Sequence, residues 1–259
     1  MKKILLAVAA VPIVFWSIWM AFPASSIQSI VEDYVRGANL TMEVQGLKKG
    51  FFYAVSVDKV TLKSSGEELV SFNNIRSRLN LIGLIRMQLD VSMDGEAGSG
   101  KIVGNAILKK SGLQTIFDYK AVDVGEMPFL KRGGIQGTGT LSGRFFVTDD
   151  KGHIEFVTRS AHFEPVVFSG IKVPMNFFDD VTGSLVIGRN VIEVVSVYLD
   201  GKDIRARLKG VIKNSVMDLN MELMPGRSFL ENPLFNMEMD RYRVSPGYYL
   251  IPVRGNLSL

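Results

Sequence analysis

Ile204-Arg205-Ala206-Arg207-Leu208-Lys209-Gly210-Val211-Ile212 and, shortly after it, Met217-Asp218-Leu219-Asn220-Met221-Glu222-Leu223 decide the fold of this chain. In the first stretch Ile204, Ala206, Leu208 and Ile212 fall on one side, opposed by Asp203, Arg205, Arg207 and Lys209. In the second, Met217, Leu219, Met221 and Leu223 alternate with Asp218, Asn220 and Glu222. A period of two is the mark of a strand with one buried and one wet face. Met87, Leu89, Val91 and Met93 repeat it against Gln88, Asp90, Ser92 and Asp94. Alternation this clean argues against a parallel sheet buried on both sides. The candidate apolar face is therefore Met87, Leu89, Val91, Met93, Ile204, Leu208, Met217, Leu219, Met221 and Leu223.

Outward from these stretches, turn signals punctuate the chain at Ser64-Ser65-Gly66, Asp94-Gly95, Asp149-Asp150-Lys151-Gly152, Gly188-Arg189-Asn190 and Asp200-Gly201-Lys202. The expected fold is mainly β: an elongated, twisted, mostly antiparallel sheet dominated by meanders. Two stretches, 113–132 and 225–252, carry prolines that interrupt a central strand, and Thr115-Ile116-Phe117-Asp118-Tyr119 is read as a short helix leading into a loop. Nothing has the composition of an inter-domain linker, so residues 38–259 form one β-rich domain. The runs Gly98-Ser99-Gly100-Lys101-Ile102-Val103-Gly104 and Gly137-Thr138-Gly139-Thr140-Leu141-Ser142-Gly143 share a G-x-G-x-x-x-G pattern that suggests a loose strand-and-turn repeat.

The amino end differs in kind. Lys2 and Lys3 precede an uncharged run over residues 4–22 that as a helix rises about 28 Å, enough to cross a hydrocarbon core. Positive charge at its start keeps that end cytoplasmic and directs the remainder outward. Ile4, Leu5 and Leu6 begin the anchor, while Phe15, Trp16, Trp19 and Phe22 form its outer aromatic belt. The competing reading is a cleaved secretory signal, for which Ala24-Ser25-Ser26 supplies small residues, but the apolar run exceeds the usual h-region of about 7–15 residues. Residues 1–26 are thus expected to be cytoplasmic tip and anchor. Residues 27–37 form a short amphipathic helix with Ile27, Ile30, Val31, Tyr34 and Val35 on one face. It either caps the first strands or lies on the bilayer, and the cap is preferred.

Composition excludes several functions. The 259 residues contain no cysteine, so disulfides, thiol nucleophiles and Cys-based zinc sites are out. The net charge of +4 is spread among acidic residues and does not form a nucleic-acid footprint. Gly95-Glu96-Ala97-Gly98-Ser99-Gly100-Lys101 matches a phosphate loop until Ile102 stands where Ser or Thr would hold Mg²⁺, and Ile102-Val103 onward reads as strand, not helix. The two histidines, His153 and His162, lack partner ligands, and neighbouring carboxylates such as Asp179-Asp180 point to opposite faces of a strand. No G-x-S-x-G, S-x-x-K or H-E-x-x-H motif occurs. The expectation is a protein that is not an enzyme, with no cofactor, metal, nucleotide or nucleic-acid partner.

Phe51-Phe52-Tyr53, Val57-Asp58-Lys59-Val60-Thr61-Leu62, Leu69-Val70-Ser71-Phe72-Asn73-Asn74-Ile75-Arg76-Ser77-Arg78-Leu79-Asn80 and the closing Gly247-Tyr248-Tyr249-Leu250-Ile251-Pro252-Val253-Arg254-Gly255-Asn256-Leu257 add a likeness. Behind a single span, this order of phrases resembles the type II secretion system protein N family, delta-proteobacterial type, and more distantly the AsmA-like periplasmic proteins. The resemblance implies a bacterial inner-membrane protein, single-pass with its bulk in the periplasm, whose partners are secretion-system proteins. From the AsmA side it implies an apolar β groove able to shelter lipid, as the alternative to a sheet folded over on its own core.

Overall fold

The computed structural model describes residues 16–17, 19–35, 40–51, 53–64, 66–80, 83, 86–110, 112–132, 134–148, 151–168, 171–173, 175–188 and 191–256. A helix α1 (Ala24–Val35) leads into strands β1 (Leu40–Gln45), β2 (Lys48–Lys49), β3 (Ala54–Ser64), β4 (Glu67–Asn80), β5 (Leu89–Ala97), β6 (Gly100–Lys109) and β7 (Gly112–Asp123). After a 3-10 turn (Val124–Glu126) and helix α2 (Pro128–Arg132) come β8 (Gly137–Thr148), β9 (Lys151–Phe163), β10 (Val166–Phe168), β11 (Ile171–Val173) and a second 3-10 turn (Met175–Phe177). Then follow β12 (Asp180–Ile187), β13 (Val191–Gly201), β14 (Ile204–Lys213), β15 (Val216–Pro225), helices α3 (Arg227–Leu230) and α4 (Pro233–Met239), β16 (Arg243–Ser245) and β17 (Tyr248–Asn256).

All but β10 and β11 join one 15-stranded antiparallel sheet in the order β1-β3-β4-β5-β6-β7-β8-β9-β12-β13-β14-β15-β17-β16, with β2 beside β3. At about 4.8 Å per step the path runs roughly 60 Å in the hydrogen-bonding direction. The expected antiparallel meander is what the structure has. Sequence order and sheet order part where β2 stands off the path beside β3, where the β10–β11 hairpin is inserted and where β17 slips inside β16.

Because pairing preserves the face, the register shows how alternation in separate strands adds up. Met93, Gly104, Phe117, Phe145, Ile154, Leu185, Val194, Gly210, Leu219 and Val253 are successive cross-strand partners in a single row over ten strands. The neighbouring row on the opposite face is Asp94, Val103, Asp118, Arg144, Glu155, Ser184 and Ser196. One side of the sheet is mainly apolar, and the other mixes charged and polar side chains with exposed apolar ones such as Val103, Ile116 and Val211.

Burial of the apolar side is graded along the strands. At one end Val122, Leu141, Thr158, Val181, Leu199, Ala206, Leu223 and Tyr249, again consecutive partners, are all buried. The three insertions leave the sheet at this end, after Asp123, Phe163 and Pro225. Their side chains supply the cover: Val124, Met127 and Leu130 from the first, Met175 and Phe178 from the second, Phe229, Leu230, Phe235 and Met239 from the third. At the opposite end Leu89 and Leu108 face each other about 40% exposed.

The glycine repeat has a packing explanation. A Cβ on Gly104 would lie 2.0 Å from the Phe117 ring, and one on Gly143 would lie 2.0 Å from the Glu155 carbonyl oxygen and 2.5 Å from the Tyr119 hydroxyl, while one on Gly100 or Gly139 would press on the backbone of Val122 (2.6 Å) or Ala161 (2.7 Å). These glycines mark close cross-strand approach.

Several sequence expectations are corrected. Residues 115–119 lie within β7, in the middle of the sheet, and only the part from Val124 onward is helical. Asp94-Gly95 is not a turn but the middle of β5, where Asp94 pairs with Arg76 and Val103; the turn comes at Gly98-Ser99, with Gly98 at φ +54. Met87 is not on the apolar face: it precedes the strand at φ +53 and is 76% exposed. Residues 225–252 are irregular as expected only up to Tyr242, since β16 and then β17 return to the sheet.

Helix α1 caps the first strand, as preferred, although it begins at Ala24. Gln28 Nε2 donates to the Val44 carbonyl (2.9 Å) and the Val44 amide donates to Glu32 Oε1 (3.1 Å), while Gln28 also donates to Glu32 (2.9 Å). Two side chains thereby stand in for a neighbouring strand on the outer edge of β1. Ile30 and Val31, expected to pack inward, are instead exposed. Removing both partners with Gln28→Ala and Glu32→Ala should strand the buried Val44 amide and carbonyl, at a cost of about 1–3 kcal/mol. Amide exchange at Val44 should then quicken by roughly tenfold or more; unchanged exchange would mean that the cap is incidental.

Candidate functional site

The residues expected to form one apolar face divide by position. Ile204, Met217, Leu219, Met221 and Leu223 are all buried, at 3–7% exposure, and Leu208, Val91 and Met93 are half-buried. Ala206 and Ile251 beside them expose no surface at all. From β13 to β17 this side of the sheet is a closed core, lidded by α3, α4 and the 3-10 turn Asp240–Tyr242. Asp203 fastens that lid by accepting hydrogen bonds from the Ser228 hydroxyl and from the Ser228 amide (2.9 Å), which hold its carboxyl below the usual carboxylate range.

The concavity lies on the polar side. Strands β7, β8, β9, β12 and β13 form a depression of about 510 Å³ lined by Asp118, Ser142, Gly143, Arg144, Glu155, Phe156, Val157, Thr182, Gly183, Ser184, Ser196 and Tyr198. A second, of about 410 Å³, adjoins it through Val157, Thr182 and Tyr198 and adds Arg159, Asp180 and Asp200. β-bulges at Ala121 and Ser160, both at positive φ, and near Val195 bend the strands around it. Two of its carboxylates are ion-paired: Arg144 Nε donates to Asp118 (2.7 Å) and Arg205 Nε donates to Asp200 (3.0 Å). The Asp118 hydrogen bond raises the already high pKa of Arg144 further, so the guanidinium stays charged. Such a surface offers many hydrogen-bonding groups in an open trough. It suits a polypeptide laid across it better than a small molecule, which needs most of its area enclosed.

On the apolar side of the same strands Tyr119 is half-buried, and its hydroxyl donates to the Glu155 carbonyl (3.0 Å). Burial pushes the phenol up from 10.0 to about 12. The folded state therefore favours the neutral ring, and this contribution to stability is complete below pH 10 and is lost as pH rises toward 12. In an alkaline titration one of the seven tyrosines should ionise last and together with unfolding, read from phenolate absorbance and circular dichroism on the same sample. A Tyr119→Phe variant should lack that late step.

Of the expected anchor, Ile4, Leu5, Leu6 and Phe15 lie outside the described residues. Trp16, Ser17, Trp19, Met20 and Ala21 are helical, and among the described residues no helix is long and apolar enough to cross a membrane. Trp16 stacks on Phe51, with centroids 5.7 Å apart and 21° between planes, and Trp19 meets Tyr53 at 5.3 Å. The Trp19 indole donates to the Gly50 carbonyl (3.3 Å), and Lys49 Nζ donates to the carbonyls of Trp19 (2.9 Å), Met20 (3.0 Å) and Phe22. The two tryptophans thus have protein partners in the β2–β3 turn. Sequence reading missed these partners; the run Phe51-Phe52-Tyr53 was its available signal.

Among the described residues no three His, Asp or Glu side chains converge as metal ligands. His153 stacks on Phe146 at 4.6 Å and stands between Phe146 and Val186 in register. No protein-family model, curated protein or solved structure matches the chain.

Proposed function

We propose that this chain is an inner-membrane-anchored periplasmic accessory component of the type II protein secretion system, working by protein–protein contacts of its sheet. The run over residues 4–22 anchors it in the inner membrane, and the β-rich body stands in the periplasm. One observation carries the choice of mechanism: Met217, Leu219, Met221 and Leu223, the residues that a lipid groove would line, are only 4–7% exposed. What the sheet offers to its surroundings from β13 to β17 is its outer face and edge, where polar groups stand beside exposed Val195, Val211 and Leu250, and the trough around Tyr198 and Arg144 belongs to that face. The assignment to secretion rests on the resemblance of the opening and closing phrases of the sequence. An AsmA-like lipid module is the second reading, favoured by the half-open Leu89–Leu108 end of the apolar face.

Reversing charge in the trough with Arg144→Glu, together with Tyr198→Glu, changes exposed groups and leaves the core intact. Secretion of exoproteins should fall to the level of a gene deletion while the protein stays folded and membrane-bound. Normal secretion in the deletion strain, accompanied by altered outer-membrane lipid, would overturn the proposal in favour of the lipid module.

A further inference from the structure

We propose that the β2–β3 turn is a second membrane contact, a foot with Phe51 at its tip that beds in the periplasmic leaflet beside the anchor. The inference rests on the anchor reading above and extends it to the body of the protein.

The argument starts from depth. Trp16 stands six residues before Phe22, the last residue of the apolar run, so on a helix it lies about 9 Å inside the outer end of that run. Phe51 is stacked on Trp16. Wherever the membrane places the Trp16 indole, it places the Phe51 ring beside it. Aromatic rings settle at the headgroup boundary, and this pair comes from two separate elements.

The connection is built to hold. Lys49 places its ammonium on three carbonyls at the end of the helical turn, where a cation is favoured both by hydrogen bonding and by the helix dipole. Trp19 ties to Gly50 by a hydrogen bond and to Tyr53 by ring contact, and Tyr53 is itself buried at φ +59. The turn therefore moves with the helix end as one body.

Exposure completes the case. Phe51 is 76% exposed, and Met20 and Phe22 on the helix side are 55% and 40% exposed. Among the described residues three large apolar side chains around one lysine-capped junction are left largely or partly open, and a bilayer interface accepts both the rings and the ammonium. The occupant follows from continuity: the chain that enters this junction is the one that leaves the membrane.

The absence of cysteine makes the test clean. Full-length Phe51→Cys and, as a control on an exposed turn, Lys110→Cys are labelled with a nitroxide and reconstituted into phosphatidylethanolamine–phosphatidylglycerol vesicles. Electron paramagnetic resonance then compares collisions with oxygen, which partitions into lipid, and with a nickel chelate, which stays in water. The oxygen-to-nickel ratio should be several-fold higher at position 51 than at position 110. Equal ratios, in protein that resists alkaline washing of the vesicles, would overturn the foot while leaving the anchor intact. Release of the protein by alkali would overturn both.

Discussion

Truncating Tyr249 to alanine is expected to lower the unfolding free energy by about 4 kcal/mol, the range seen when a large buried aromatic is deleted. Tyr249 is 1% exposed and sits where β17 meets its lid. Its ring packs on Phe235 at 5.8 Å, Phe235 on Phe229 at 5.5 Å and Phe229 on Phe177 at 4.9 Å. One chain of edge-on rings therefore joins the last long strand, both helices of the third insertion and the 3-10 turn of the second. Losing the first ring opens a cavity that the remaining three cannot fill without leaving their own partners. Tyr249→Phe keeps the ring and should cost less than about 1.5 kcal/mol. Urea unfolding followed by circular dichroism separates the two; a loss under about 1 kcal/mol for the alanine variant would mean that the lid is held elsewhere.

Gly210→Ala should be comparably severe for a different reason. Gly210 lies inside β14 at φ +142, a conformation that residues with a Cβ avoid. An added Cβ would sit 2.3 Å from the Asp218 carbonyl oxygen and 2.7 Å from the Leu219 Cα. Both contacts are to the backbone of a central neighbouring strand, so no side chain can swing away. Dihedral strain of about 1–3 kcal/mol and overpacking of a similar size point to about 4 kcal/mol in all, or a fall of roughly 10 °C in Tm. Gly66→Ala makes the comparison sharp, since Gly66 has φ +86 but no atom within 4 Å of the added Cβ. It should lose only the dihedral part, about 1 kcal/mol.

These two positions show what could be read from the sequence and what could not. The alternation in β14 and β15 is legible because one face of each strand is buried and the other wet, so composition reports orientation directly. Gly210 interrupts that alternation silently: nothing local says that its neighbour in space is Leu219. The same limit produced the mistaken turn at Asp94-Gly95, where turn-forming residues are held straight between β4 and β6 by the pairing of Asp94 with Arg76 and Val103. Residues 115–119 were misread because Ile116, an apolar residue on the polar side and 53% exposed, hides the period of two. Met87 continues the alternation beyond the point where the strand begins. The trough was illegible for a stronger reason: Asp118, Arg144, Glu155 and Tyr198 come from four strands, and no local motif can encode a site assembled only by register. The anchor run needed no partner to be seen, whereas the contact of Trp16 with Phe51 spans helix α1 and two strands.

The treatment of the two ends of the sheet has an outcome for assembly. Gln28 and Glu32 occupy the hydrogen-bonding groups of Val44 on the outer edge of β1. At the other end β16 pairs only with Tyr248 and Tyr249, so among the described residues 250–256 of β17 pair on one side alone. A strand added at the β1 edge would have to displace the Gln28 and Glu32 contacts at Val44, whereas one added along residues 250–256 of β17 would meet backbone that pairs on one side alone among the described residues.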